Sequence, residues 1–243
     1  FWQLLTEAGI PSTVLRCPCT FPPDAVCGRM LAGVGVPDLR GSLGTSAFYT
    51  QDRSVEAKES EQVIHLDAGD QLTTRVIGPR DTRTNPPGEV VCEIRAKADR
   101  AAGKLAIETG GTPETIELPL GAWSPWVRLK FKFSMLQAAW GIVRFYLRQL
   151  SPHLEFYASP VNFDPTAPLY PVSAPGEYAK ELAERIGTFS TLGMAEDHVG
   201  LNNGRFDEQA YLAQCGLVLA ESERMTFFEL DRFSEGLFFI VFD

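Results

Sequence analysis

Val127–Phe133 reads V-R-L-K-F-K-F. Val127, Leu129, Phe131 and Phe133 alternate with Arg128, Lys130 and Lys132. A period of two sends the apolar set to one face of a strand and the cations to the other. One buried and one solvated face is the habit of antiparallel sheets. Similar short runs flank it: Val63–Leu66, Gln71–Ile77, Val90–Ala96, Lys104–Thr109 and Thr115–Leu118 before it, Gly141–Gln149 and Leu154–Tyr157 after it. D-A-G-D at 67–70, N-P-P-G at 85–88 and Gly110-Gly111 separate several of them. Frequent turns between short strands predict a β-rich sheet or sandwich over 55–158. The cationic face of Val127–Phe133 reads as solvated surface, with contact to an acidic ligand as the other reading.

Outside that region the texture is α/β. Phe1–Gly9 reads as a short helix, with Phe1, Leu4, Leu5 and Ala8 on one face and Gly9 as its C-cap. Ser12–Cys17 follows as a buried strand, and Pro22-Pro23 closes the next loop. Gly33–Thr45 is G-V-G-V-P-D-L-R-G-S-L-G-T. Gly33, Gly35, Gly41 and Gly44 permit a tight path, Pro37 stiffens it, and Asp38 and Arg40 supply opposite charges. Open α/β sheets bind ligands at the carboxyl ends of their strands. Arg16, Asp38 and Arg40 are therefore candidate substrate-binding residues of one cleft. A structural crossover for the loop and a surface ion pair for Arg16 remain open alternatives.

Ser159–Pro175 holds five prolines, which exclude a regular helix and predict an extended crossover. Glu177–Ile186 is an amphipathic helix, and Asp207 can cap a longer one over Glu208–Phe233, which carries Leu212, Leu219 and Phe227 among polar residues. Leu237–Phe242 is a continuous apolar run, fitting a central strand buried on both faces. The order predicts residues 1–54 as the first segment of an α/β core and 55–158 as a β-rich insertion. Residues 159–243 would then be the crossover, helices and core strand returning to the α/β domain. Phe1 opens directly on a helical pattern and Asp243 closes a strand-like run, so the chain reads as a segment of a longer protein.

Twenty-two Lys and Arg against 31 Asp and Glu leave a net charge of −9 across 243 residues. A general nucleic-acid binder needs concentrated cations, so that class is disfavoured. No apolar run approaches the ~20 residues of a membrane helix. Cys17, Cys19, Cys27, Cys92 and Cys215 are odd in number, and Cys17-x-Cys19 is too short for a zinc knuckle. They read as buried free thiols, which favours a reducing, cytoplasmic compartment. His65, His153 and His198 stand apart, without metal-ligand spacing. There is no G-x-S-x-G elbow and no G-K-[ST]. Glu196-Asp197 is one carboxylate pair among several and is not singled out. Asp243 leaves the carboxyl end of an apolar strand, where metal ligands in α/β hydrolases often sit; a surface aspartate is the equal alternative.

Several stretches share one likeness. They are F-W-x-L-L-x-E-A-G-I-P at Phe1–Pro11, C-T-F-P-P at Cys19–Pro23, and G-R-M-L-A-G-V-G-V-P-D-L-R-G-S-L-G-T at Gly28–Thr45. Further on come Y-A-S-P-V-N-F-D-P at Tyr157–Pro165, P-V-S-A-P at Pro171–Pro175 and I-G-T-F-S-T-L-G-M at Ile186–Met194. Together they resemble the phosphohydrolase/phosphomutase branch of the alkaline phosphatase superfamily, related to type I phosphodiesterase/nucleotide pyrophosphatases. The resemblance implies a three-layer α/β core carrying the β-rich insertion, a small-molecule phosphate ester as substrate, and a Ser or Thr nucleophile. It also implies two divalent metal ions, zinc or alternatively manganese. In the family the nucleophile and first metal-ligand Asp precede the stretch matching Phe1, and the remaining ligands follow the one matching Asp243. The resemblance therefore places no catalytic residue here, sets Asp243 next to the expected ligand region, and implies an inactive segment. An alternative function is a β-rich accessory module that grips a glycan, lipid headgroup or protein through exposed Trp123, Trp126 and Trp140. A third is a lid or oligomer interface.

Overall fold

Residues 1–110 and 114–242 are described by a computed structural model. In chain order, α1 (Trp2–Glu7) precedes β1 (Ser12–Cys17), β2 (Gly28–Ala32), β3 (Ser46–Thr50) and β4 (Glu61–His65). An antiparallel meander follows: β5 (Gln71–Asp81), β6 (Gly88–Asp99), β7 (Lys104–Thr109) and β8 (Thr115–Pro119). Gly111, half of the expected Gly-Gly turn before β8, lies outside the described residues. Next come β9 (Val127–Lys132), β10 (Ala138–Val143), β11 (Phe145–Gln149), β12 (Glu155–Ala158), β13 (Asn162–Phe163) and β14 (Ser173–Ala174). The chain then runs through α2 (Tyr178–Ile186), α3 (His198–Asn202), α4 (Glu208–Asp231) and β15 (Leu237–Ile240).

Among the described residues the strands make four small sheets, ordered β14-β2-β1-β15, β13-β10-β9, β11-β12-β3-β4 and β5-β6-β7-β8. Alternation explains the antiparallel ones. Along β6 buried and exposed residues strictly alternate from Val90 onward, and β9 buries Val127, Leu129 and Phe131. Two sheets interlock where Phe131 lies flat over Gly78 of β5; a Cβ there would meet the ring at 2.2 Å. A contiguous apolar core then runs from Leu15 and Leu31 through Tyr49, Ile94, Leu129, Phe145 and Phe156 to Tyr178 and Met225. Tyr49 stacks on Phe156 at 4.3 Å, joining β3 to β12.

The three-layer α/β core expected from the sequence is not formed. The protein is β-rich, 36% strand and 18% helix, and distributed over several small sheets. The reason lies in the elements that should have built the layers. α1 has six residues, none fully buried, and lays Trp2 against Val14, Cys17 and Met30, too short a helix to form a layer over the sheet. Among the described residues β1 has parallel ladders to β2 and β15 alone, and β14 adds an antiparallel edge of two residues. Helix, loop and strand follow each other at 1–17 as read, but that local rhythm did not propagate into stacked βαβ units.

Four strands escaped the sequence reading, among them the two-residue β13 and β14 within the proline-rich crossover. β2 is short and opens on an exposed glycine; β3 is S-A-F-Y-T, fully buried, and pairs with β12 and β4. Leu237–Phe242 forms a strand only to Ile240 and is not central. β15 pairs with β1 at the sheet's edge, and Phe239 stays 41% exposed. No helix among the described residues is long and apolar enough to cross a membrane.

Candidate functional site

The glycine-rich loop is built around one carboxylate. Asp38 is fully buried; its Oδ1 accepts from the backbone N–H of Arg40 (2.9 Å) and Ser42 (2.8 Å). Its Oδ2 accepts from Ser42 Oγ (2.6 Å) and the Thr45 N–H (2.8 Å). Those bonds consume the carboxylate, so Asp38 shapes the loop rather than offering itself to a ligand. Gly33 lets the loop press onto β1, since a Cβ there would sit 2.1 Å from the Arg16 carbonyl oxygen. Arg40 turns away to β6, where Nη2 meets Glu89 Oε1 at 2.9 Å.

Arg16 stands elsewhere in both geometry and surroundings. It is 3% exposed and takes φ +56°, a left-handed conformation costly for a residue with a Cβ. The β1–β2 register slips between Leu15 and Cys17, so Arg16 is the bulged residue. The bulged Arg16 lines an open crevice of about 610 Å³, shared with Glu196, Tyr211, Cys215, Leu219 and Phe242. Arg16 is the penultimate residue of β1 and Phe242 follows β15, two parallel neighbours, so the crevice opens at their carboxyl ends. The three sequence candidates therefore divide: Arg16 lines the crevice, while Asp38 and Arg40 are engaged within the loop and with β6. Asp243 lies outside the described residues.

Beside the crevice is a more enclosed cavity of about 50 Å³, walled by Trp123, Trp126, Leu192, Met194 and Val199; Glu196 and Val218 line both spaces. Its floor is ionic. Arg144 donates to Glu221 Oε1 (2.8 Å) and to the Ser124 carbonyl (2.8 Å), and its guanidinium lies 4.5 Å over the Trp126 ring. Glu221 also accepts from Trp126 Nε1 (2.7 Å) and from the Ser190 N–H (2.8 Å). On the opposite wall Asp197 caps α3 through the Gly200 N–H and accepts the Tyr157 hydroxyl at 2.5 Å. Burial raises the Asp197 carboxyl above the ordinary range, opposed by those two hydrogen bonds and by His198. Burial likewise pushes the Tyr157 phenol well up, with Asp197 adding to the shift.

Sequence reasoning missed Arg144, Glu221 and Tyr157. Each is an isolated residue in a strand or helix pattern, and only the fold joins 144, 157 and 197 to 221. No sequence signal singled Glu221 out, because its helix register also carries Gln214, Ser222 and Glu229. Glu196-Asp197 was noticed but not singled out. The tryptophans form no exposed cluster: all three are half-buried, Trp123 Nε1 donates to the Ala210 carbonyl, and Trp140 lies under Arg128 and Lys130. His65, His153 and His198 are all exposed. Cys17 and Cys92 are buried, but Cys19 and Cys27 are exposed and Cys215 is partly so, which corrects the reading of all five as buried. Among the described residues no group of three His, Cys, Asp or Glu side chains is placed to hold a metal ion. No family model, curated protein or solved structure matches the chain.

Proposed function

We propose that this chain supplies one wall of the substrate cleft of a metal-dependent phosphohydrolase or phosphodiesterase. The observation that carries the reading is Arg16: buried, bulged, left-handed, and lining a crevice at the carboxyl ends of parallel strands. Backbone strain of this kind, of order 1–3 kcal/mol, persists where surrounding structure enforces it and often marks functional positions. A guanidinium presents a planar fork of donors that matches a phosphate's oxygens. The motif set from Phe1–Pro11 to Ile186–Met194 supports the same reading.

Within that reading Arg16 binds and orients the phosphoryl oxygens, and Asp38 holds the adjoining loop in shape. The described residues do not fit a metal, so no step is assigned to one within this chain; the phosphoryl-accepting hydroxyl and both metals would come from outside it. The accessory-module alternative gains no specific support, because the tryptophans it needs on the surface are half-buried and engaged.

The test is turnover by the intact parent polypeptide, supplied with zinc or manganese, on an aryl phosphomonoester and an aryl phosphodiester. Activity on at least one is expected, with Arg16→Ala raising KM about tenfold or more, the loss of one charge-assisted pair. Hydrolysis of neither ester would sink the proposal.

A further inference from the structure

From Leu118 to Leu154 the chain has five Lys and Arg and no Asp or Glu, in a protein of net charge −9. The β9–β10 hairpin lies inside that stretch. Its outer face carries Arg128, Lys130 and Lys132 on β9, with Trp140 opposite Lys130 on β10. Arg128 and Lys130 sit over the Trp140 ring at 4.0 and 5.1 Å. Arg128 is also held by Asp164, whereas Lys132 is exposed and has no ion-pair partner among the described residues. At the tip, Met135 and Leu136 are fully exposed. Leu136 shares an open groove with Leu169, Arg80 and Arg83, so further apolar and cationic side chains surround the same end of the hairpin.

Hydrogen bonds fix the tip. The Phe133 and Ser134 N–H groups both donate to the Gln137 carbonyl (2.9 and 3.2 Å). Ser134 Oγ accepts from the N–H groups of Leu136 (3.3 Å) and Gln137 (3.1 Å). Arg83 clamps the turn from the side, donating to the Phe133 carbonyl (2.9 Å) and to Gln137 Oε1 (2.7 Å). Such bonds matter most in a medium poor in water, where an unpaired backbone group is costly. The two apolar side chains are thus held outward on a turn that is already tied together. They offer far less surface than the ~800 Å² that each partner of a stable protein interface contributes. An apolar tip, then a tryptophan, then cations matches the order from acyl boundary to anionic headgroups. The acidic remainder of the chain does not cancel this patch, because exposed charges more than about 10 Å apart are largely screened at about 0.1 M salt.

We propose that the β9–β10 hairpin docks this protein on an anionic lipid bilayer. Met135 and Leu136 enter the acyl boundary while Lys130, Lys132, Arg80 and Arg83 meet the headgroups. The proposal does not rest on the phosphohydrolase reading and needs no exposed tryptophan cluster. The chain is sedimented with vesicles of phosphatidylcholine containing phosphatidylserine, and with vesicles of phosphatidylcholine alone. Binding is expected to be about tenfold or more tighter on the anionic vesicles, and weaker as salt is added. Met135→Ser with Leu136→Ser, and Lys130→Glu with Lys132→Glu, should each weaken it about tenfold or more. Phe227→Ser, which removes an exposed apolar side chain of α4, should leave it unchanged. In Leu136→Trp, emission should shift to the blue when anionic vesicles are added, a reading that stands if a weakened variant fails to fold. Equal binding to neutral vesicles, unchanged binding in either folded double variant, equal weakening by Phe227→Ser, or an unshifted Leu136→Trp emission would overturn it. So would absence of vesicle binding; self-association lost in the Met135/Leu136 variant would then assign the tip to a second copy of the chain.

Discussion

A single carboxylate can act as scaffold or as titrating group, and Asp38 and Asp197 divide those roles. Asp38 is surrounded by donors from its own loop; Asp197 has two, Tyr157 and Gly200, in a fully buried site. Burial wins at Asp197, and its pKa is raised. The folded state therefore holds a proton that the unfolded state releases near pH ~4, and stability falls as pH rises from that value through the folded pKa. Asp197→Asn keeps an N-cap oxygen and an acceptor for Tyr157 while removing the titration. Urea unfolding of both proteins between acid and neutral pH should show the wild type losing ground to Asp197→Asn as pH rises. A difference independent of pH would refute this account.

Among the elements, α4 departs furthest from the pattern of an amphipathic surface helix. Its buried face holds Gln214, Glu221 and Glu229, while Leu212 is 67% and Phe227 63% exposed, with Leu219 and Leu230 also outward. The sequence placed Leu212, Leu219 and Phe227 on the helix correctly but could not show that they point away from the core. Buried glutamates are tolerated because partners await them: Arg144 for Glu221, and Arg232 with the Tyr178 hydroxyl for Glu229. β15 is likewise an edge strand with exposed Phe239. Exposed apolar edges invite pairing with other chains. Concentration-dependent self-association is therefore expected in sedimentation velocity, and Phe239→Lys with Leu219→Lys should suppress it. A concentration-independent monomer in the unaltered chain would contradict this.

Across the whole molecule, buried ion pairs fasten segments far apart in sequence. Arg144, between β10 and β11, holds Glu221 of α4; Arg205 holds Glu61 at the start of β4 and covers the Phe48 ring at 4.5 Å. Breaking one partner of such a pair typically costs about 3–5 kcal/mol, whereas replacing both costs much less. Arg144→Met and Glu221→Leu should each be strongly destabilising in urea, and the double variant should lose clearly less than their sum. Strict additivity would show that the two charges are not coupled.

Much of the local structure was legible because period and capping act over a few residues. The alternation in Val127–Phe133, the run Glu177–Ile186 and the cap at Asp207 are all of this kind, and each forms its element in the fold. Arg16 was legible as a residue near the end of a strand, but not as a bulged, left-handed one, since that depends on how β2 pairs beside it. Layering was misread for the same reason: whether a helix covers a sheet depends on which faces meet, and α1, with no residue fully buried, meets the sheet through Trp2 on Val14 and Met30 without building a layer. By itself the sequence determined strand, helix and turn, because neighbouring residues set those preferences. Only the tertiary structure decided which charges are buried together and which apolar side chains face outward, because partners such as Arg144 and Glu221 are chosen across the fold, not along the chain.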